Sequence, residues 1–145
     1  MSLFDTLSVS ASGLTAQRQR AEVLVENIAN SDTTRTAGGG PYRRKEVVFE
    51  SQATGGPFSS VLQNQMDRQP EGVAISQIVT DQSEPDKRYL PGHPDADKDG
   101  YVAFPKVNPA EDMVDLMGAS RGYGANVAAI SAVKDMINRS LDLFH

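Results

Sequence analysis

The chain has 145 residues, a net charge of −5, 39% hydrophobic residues and no cysteine. That length suffices for one ordinary domain with a buried core. The acidic balance argues against a nucleic-acid surface, and the absence of cysteine excludes disulfides, thiolate metal sites and thiol nucleophiles.

The N-terminus, MSLFDTLSVSASG, has Asp5 and several serines where a cleavable secretion signal carries a continuous apolar core. It reads instead as a helix start, with Ser2 and Asp5 spaced as in a capping box. Positions Phe4, Leu7, Ala11, Leu14, Arg18, Ala21, Val25 and Ile28 alternate in threes and fours. This is a heptad seam with one polar break, the spacing that keeps a single stripe turned toward a partner helix. The helix is expected to stop at Asn30-Ser31-Asp32-Thr33-Thr34, weak helix formers followed by Gly38-Gly39-Gly40-Pro41. Asn30 is the expected cap, in the left-handed conformation that ends many helices. The alternative is that Asn27 and Asn30 bind something.

Strands are expected at 42–49, 58–62, 73–79 and 101–104, each rich in β-branched or aromatic residues and bounded by Gly, Pro or Ser. The run Arg43-Arg44-Lys45 reads as a solvated strand edge. Residues 81–100, DQSEPDKRYLPGHPDADKDG, hold three prolines and two glycines and are expected to form a long irregular loop. Within it, Asp95-Ala96-Asp97-Lys98-Asp99-Gly100 matches the first half of an EF-hand calcium loop. Position 12 of such a loop would be Lys106, an ammonium where a bidentate glutamate belongs, so a solvated acidic turn is the preferred reading.

The C-terminal third repeats the seam with Met113, Leu116, Ser120, Tyr123, Val127, Ile130, Lys134, Ile137, Leu141 and Phe144. Asn108 caps its start, Pro109 suits the first turn and Glu111 completes an Asn-x-x-Glu box. A helix over 109–144 would be roughly 54 Å long at 1.5 Å per residue. Gly118, Gly122 and Gly124 lie inside it, each costing about 1 kcal/mol relative to alanine. They mark either a close backbone approach or a tolerated weakness. No apolar stretch approaches the roughly 20 residues of a membrane span.

No convincing active site emerges. His93 stands beside Asp95 and Asp97, but the only other histidine is His145, and a catalytic zinc usually needs three protein ligands. There is no Gly-x-Ser-x-Gly turn, no GxGxxG and no Walker-type loop. No cofactor is expected. The reading is α+β: long N- and C-terminal helices forming a coiled-coil-like pair, with a small β-rich middle domain and a long Pro/Gly-rich loop. The expected divisions are 1–34, 35–107 and 108–145.

Four stretches carry a resemblance over nearly the whole chain: SASGLTAQRQRAEVLVENIAN, GGGPYRRKEVVF, YLPGHPDADKDGYVAFPKVN and EDMVDLMGASRGYGANV. In these the chain resembles the flagellar basal-body rod proteins, the strand and the Gly-His-Pro-Asp loop pointing to a proximal-rod member. The resemblance implies a structural, non-enzymatic subunit whose terminal helices pack into a tubular wall around the export channel. Its expected partners are other rod proteins, copies of itself, and flagellar export and basal-body components. It implies a place in the rod within the cell envelope (the periplasm of a Gram-negative host) reached by the flagellum's own export route without a cleavable signal. A calcium-responsive module and a cytoplasmic coiled-coil adaptor are the rival classes.

Overall fold

The structure is a computed structural model describing residues 3–53 and 71–142. The expected strand at 58–62, Ser2 of the capping box, Phe144 and His145 lie outside the described residues. In chain order the elements are α1 (Leu3–Ala29), β1 (Lys45–Ala53), β2 (Glu71–Thr80), β3 (Asp86–Tyr89), β4 (Tyr101–Phe104) and α2 (Pro109–Asp142). Two helices of 27 and 34 residues therefore flank two small two-stranded sheets, β1 with β2 and β3 with β4. This is an α+β chain.

Helix α2 begins where its capping signals stand. The Asn108 side-chain oxygen accepts from the Ala110 amide at 3.2 Å, and the Asn108 carbonyl accepts from the Asp112 amide at 3.0 Å. Pro109 fills the first helical position, where the missing N–H would have no partner in any case. Helix α1 ends as its weak helix formers require, but by another geometry than expected. No non-glycine among the described residues has a positive φ, so Asn30 is not in the left-handed conformation. Its side-chain amide instead donates to the Glu26 carbonyl at 2.9 Å, and its oxygen accepts from the Thr33 hydroxyl at 3.2 Å. The left-handed turns fall at Gly39 and Gly40, where φ is 82° and 75°.

The irregular loop expected at 81–100 contains β3. Its residues pair antiparallel with β4 in the register Asp86↔Phe104, Lys87↔Ala103, Arg88↔Val102 and Tyr89↔Tyr101. Asp-Lys-Arg-Tyr carries almost no strand propensity, so cross-strand contacts supply what composition withholds. The Tyr89 and Tyr101 rings meet edge to face at 5.4 Å, and the Arg88 guanidinium lies 4.6 Å from the Phe104 ring centre. The connection closes through the Leu90 amide to the Gly100 carbonyl at 2.9 Å. Gly100 has φ 82°, and a Cβ there would sit 2.9 Å from the Tyr89 ring.

The chain forms two compact units. The first comprises Met1–Gln19, Phe49–Ser76 and Ala119–His145; the second comprises Arg20–Val48 and Gln77–Gly118. In the first, Ser10, Ala16, Ala119 and Val133 are buried, and the Ser12 hydroxyl accepts from the Val73 amide of β2 at 3.1 Å. In the second, the buried side chains are Val23, Leu24, Asn27, Tyr42, Val102, Pro105 and Asp112. Both cores are small, and two of the second's buried side chains, Asn27 and Asp112, are polar.

Candidate assembly surface

In the first unit the helices meet through small and amide side chains. A Cβ at Gly13 would lie 2.9 Å from the Asn126 side-chain nitrogen, and one at Gly122 would lie 3.3 Å from Gln17 Cδ. Going four residues up α1 goes four residues down α2, so the helices are antiparallel here. Each glycine receives the amide side chain opposite, and Asn126 also donates to the Gly122 carbonyl at 3.0 Å. Gly122 thus marks a close approach within the chain. Around Gly118 and Gly124 a Cβ would meet nothing within 4 Å.

The contact therefore runs through Gly13 and Gln17 on α1 and Gly122 and Asn126 on α2, and Ser10, Ala16, Ala119 and Val133 are also buried in this unit. The predicted apolar seam lies one residue further along each helix. Residue 14 follows 13, and 123 and 127 follow 122 and 126. One residue is a rotation of about 100°. In an antiparallel pair a step forward turns both helices toward the same flank. The seam residues of the first unit, Phe4, Leu7, Ala11 and Leu14 with Tyr123, Val127, Ile130, Ile137 and Leu141, accordingly share one flank of the pair. Phe4 is 75% exposed and Leu141 61%, Ala11, Tyr123 and Val127 are exposed, and Leu7, Leu14, Ile130 and Ile137 are half-buried. In the second unit Val25 and Met113 are exposed, and Ala21, Ile28 and Leu116 half-buried. The heptad seam is not the face through which the chain's own helices pair. Exposed apolar side chains gathered on one flank mark interaction surfaces when the patch they form is large.

The second unit is fastened by hydrogen bonds to buried polar groups. Asn27 is wholly buried; its oxygen accepts from the Lys45 amide and the Tyr42 hydroxyl, both at 2.9 Å, and its nitrogen donates to the Lys45 carbonyl at 2.9 Å. A side-chain amide here does for the first residue of β1 what a neighbouring strand's peptide does elsewhere. Lys45 Nζ pairs with Glu26 at 2.5 Å. Burial, reinforced by Glu26 and Asp112, pushes the Tyr42 phenol up to about 12. Arg44 donates from Nε and Nη2 to one oxygen of the wholly buried Asp112, at 3.2 and 2.7 Å, and also pairs with Glu46. That bond to Asp112 raises the Arg44 pKa further above its already high ordinary value. The run Arg43-Arg44-Lys45 is thus not a solvated edge throughout. Asn27 serves its own chain, and the signal for it was the Asn-x-x-Asn spacing before the break.

The acidic loop is likewise internal in its contacts. Asp97 accepts from the amides of Asp99 and Tyr101 at 3.0 and 2.8 Å, while Asp95 accepts from the Thr34 hydroxyl at 2.8 Å and lies 3.6 Å from Arg35. Among the described residues no three His, Cys, Asp or Glu side chains converge as metal ligands would. No helix among them is long and apolar enough to cross a membrane. Glu111 is exposed and makes no bond back to Asn108, so the cap at α2 is one-sided.

A bare apolar flank on terminal helices is what a subunit built to be covered by neighbours would present, and relatives point the same way. Residues 7–35 match the family model described as flagella basal body rod protein, and residues 98–143 the one described as flagellar basal body rod FlgEFG protein C-terminal. The flagellar basal-body rod protein FlgC of Bacillus subtilis is 44% identical over an alignment of 150 positions covering 99% of each chain. FlgC of Borreliella burgdorferi is 42% identical over 97% of each chain, and that of an Escherichia coli O6:H1 strain 39% identical over 99% of this chain and 98% of its own. This chain belongs to the FlgC family of flagellar basal-body rod proteins. As a FlgC family member it is a structural subunit of the proximal rod, a part of the flagellum that assembles from rod proteins. The two family models cover most of α1 and all of α2, the elements that carry the bare flank.

Proposed function

We propose that the apolar flank formed by the two heptad stripes is the surface on which other rod proteins and further copies of this chain pack. In this reading the helices, residues 1–34 and 108–145, build the tube wall that surrounds the export channel and passes torque along the rod, and residues 35–107 form the domain outside it. The single observation that carries it is the one-residue offset: small and amide side chains close the pair, leaving Leu14, Val127 and their companions for outside contacts. Contacts between like subunits that do not close into a ring propagate as an open helix. Export by the flagellum's own apparatus, without a cleavable signal, and residence where the rod crosses the envelope complete the reading.

The test is Leu14→Asp and Val127→Asp, examined separately in a flagellated host. Val127 is already exposed, so the variant chain should keep the helical circular dichroism of the parent while rods and motility are lost. Wild-type motility in both variants would sink the proposal.

A further inference from the structure

The first ten residues of α2, 109–118, include no buried apolar side chain. Met113, Val114 and Met117 are each more than half exposed, Leu116 is half-buried, and the one buried residue is Asp112. Two carboxylates seat this stretch. Asp112 receives the two-pronged Arg44, and Asp115 pairs with Arg20 of α1 at 3.3 Å. The second pair is half open to solvent and contributes little, whereas Asp112 is inaccessible. Only one Asp112 oxygen is bonded within the described residues, so a single guanidinium holds the buried charge. Arg44 is itself fixed by its neighbours, because Tyr42 and Lys45 on either side are clamped to Asn27. Around Gly118, at the end of the stretch, a Cβ would meet nothing.

We propose that Arg44 and Asp112 form a polar latch that decides whether residues 109–118 of α2 are seated against the rest of the second unit. Arg44 acts as a positioning residue, placed by the Asn27 clamp. Releasing the latch frees a helical arm that has no fully buried apolar side chain of its own. The arm then carries its exposed Met113, Val114 and Met117, and the half-buried Leu116, with it toward a neighbouring helix. This holds whichever neighbour covers the apolar flank.

Backbone hydrogen exchange of the full chain tests it, comparing the parent with Asp112→Asn, Arg44→Met and the apolar control Leu116→Ala. The amides of residues 113–118 should exchange at least tenfold faster in the first two variants and less than threefold faster in the third. The amides of 123–133 should stay within twofold of the parent in all three. Parent-like exchange at 113–118 in Asp112→Asn, a larger change in Leu116→Ala, or a uniform acceleration over both stretches would each overturn the latch. Lack of protection at 113–118 in the parent would overturn it as well.

Discussion

The two compact units hold their helices by different physics. In the first, glycine lets an amide side chain of the opposite helix approach, and the fit is steric: Gly13 against Asn126, Gly122 against Gln17. In the second, a buried asparagine, a buried aspartate and a tyrosine fasten residues 42–45 to both helices through directed bonds. Steric steps tolerate no added volume but lose little when a polar group is trimmed. Directed bonds between buried groups behave the opposite way, since each deletion strands a partner that water cannot reach. The two units should therefore respond to different kinds of substitution.

The sharpest way to probe this contrast is Asn27→Leu. It strands the Tyr42 hydroxyl and both backbone groups of Lys45, and at 1–3 kcal/mol for each buried unsatisfied group it should cost about 3 kcal/mol or more in a urea titration. Isosteric volume gives no relief, because the loss is of bonds. Next in size is Gly13→Val, which drives two methyl groups into the Asn126 side chain and should cost about 2 kcal/mol by overpacking. Gly13→Ser, smaller and polar, should cost less. If Asn27→Leu proves milder than Gly13→Val, the distinction between the units collapses. The smallest effect, absent near neutrality, is a loss of stability in base. The Tyr42 phenol titrates near 12 when folded against an ordinary value of 10. The folded state thus holds this proton more tightly than the unfolded one, and the contribution is complete below pH 10 and lost as pH rises from 10 to 12. Absorbance of the ionised phenol should show one tyrosine titrating about two pH units late, and Tyr42→Phe should remove both that step and its share of the base sensitivity.

Much of this fold was legible in residue order. The start of α2 announced itself through Asn108-Pro109, because capping is local chemistry. The break after α1 was equally plain, since Ser, Asp and Thr compete with helix for backbone bonds. Strands β1, β2 and β4 followed from their β-branched and aromatic content, whereas β3 had no such mark, being held by partners in β4. The candidate surface was legible as a stripe but not as to which way it turns. Periodicity says that Leu7 and Leu14 share a face of α1, and Tyr123 and Val127 a face of α2; it does not say whether those faces meet each other or another chain. Here glycines and amides, normally discounted as core formers, occupy the inner face. The partners of Asn27, Tyr42 and Lys45, lie 15 and 18 residues downstream, beyond the reach of any local spacing.

The one-residue offset places neighbouring positions under separate constraints. Gly13 answers to the chain's own second helix and, in the proposed assembly, Leu14 to whatever covers the flank; Gly122 and Tyr123, and Asn126 and Val127, divide in the same way. Adjacent codons can therefore drift independently, one correcting the fold and the next retuning a neighbour. A substitution that retunes an outside contact can leave the chain's own helix pairing as it is.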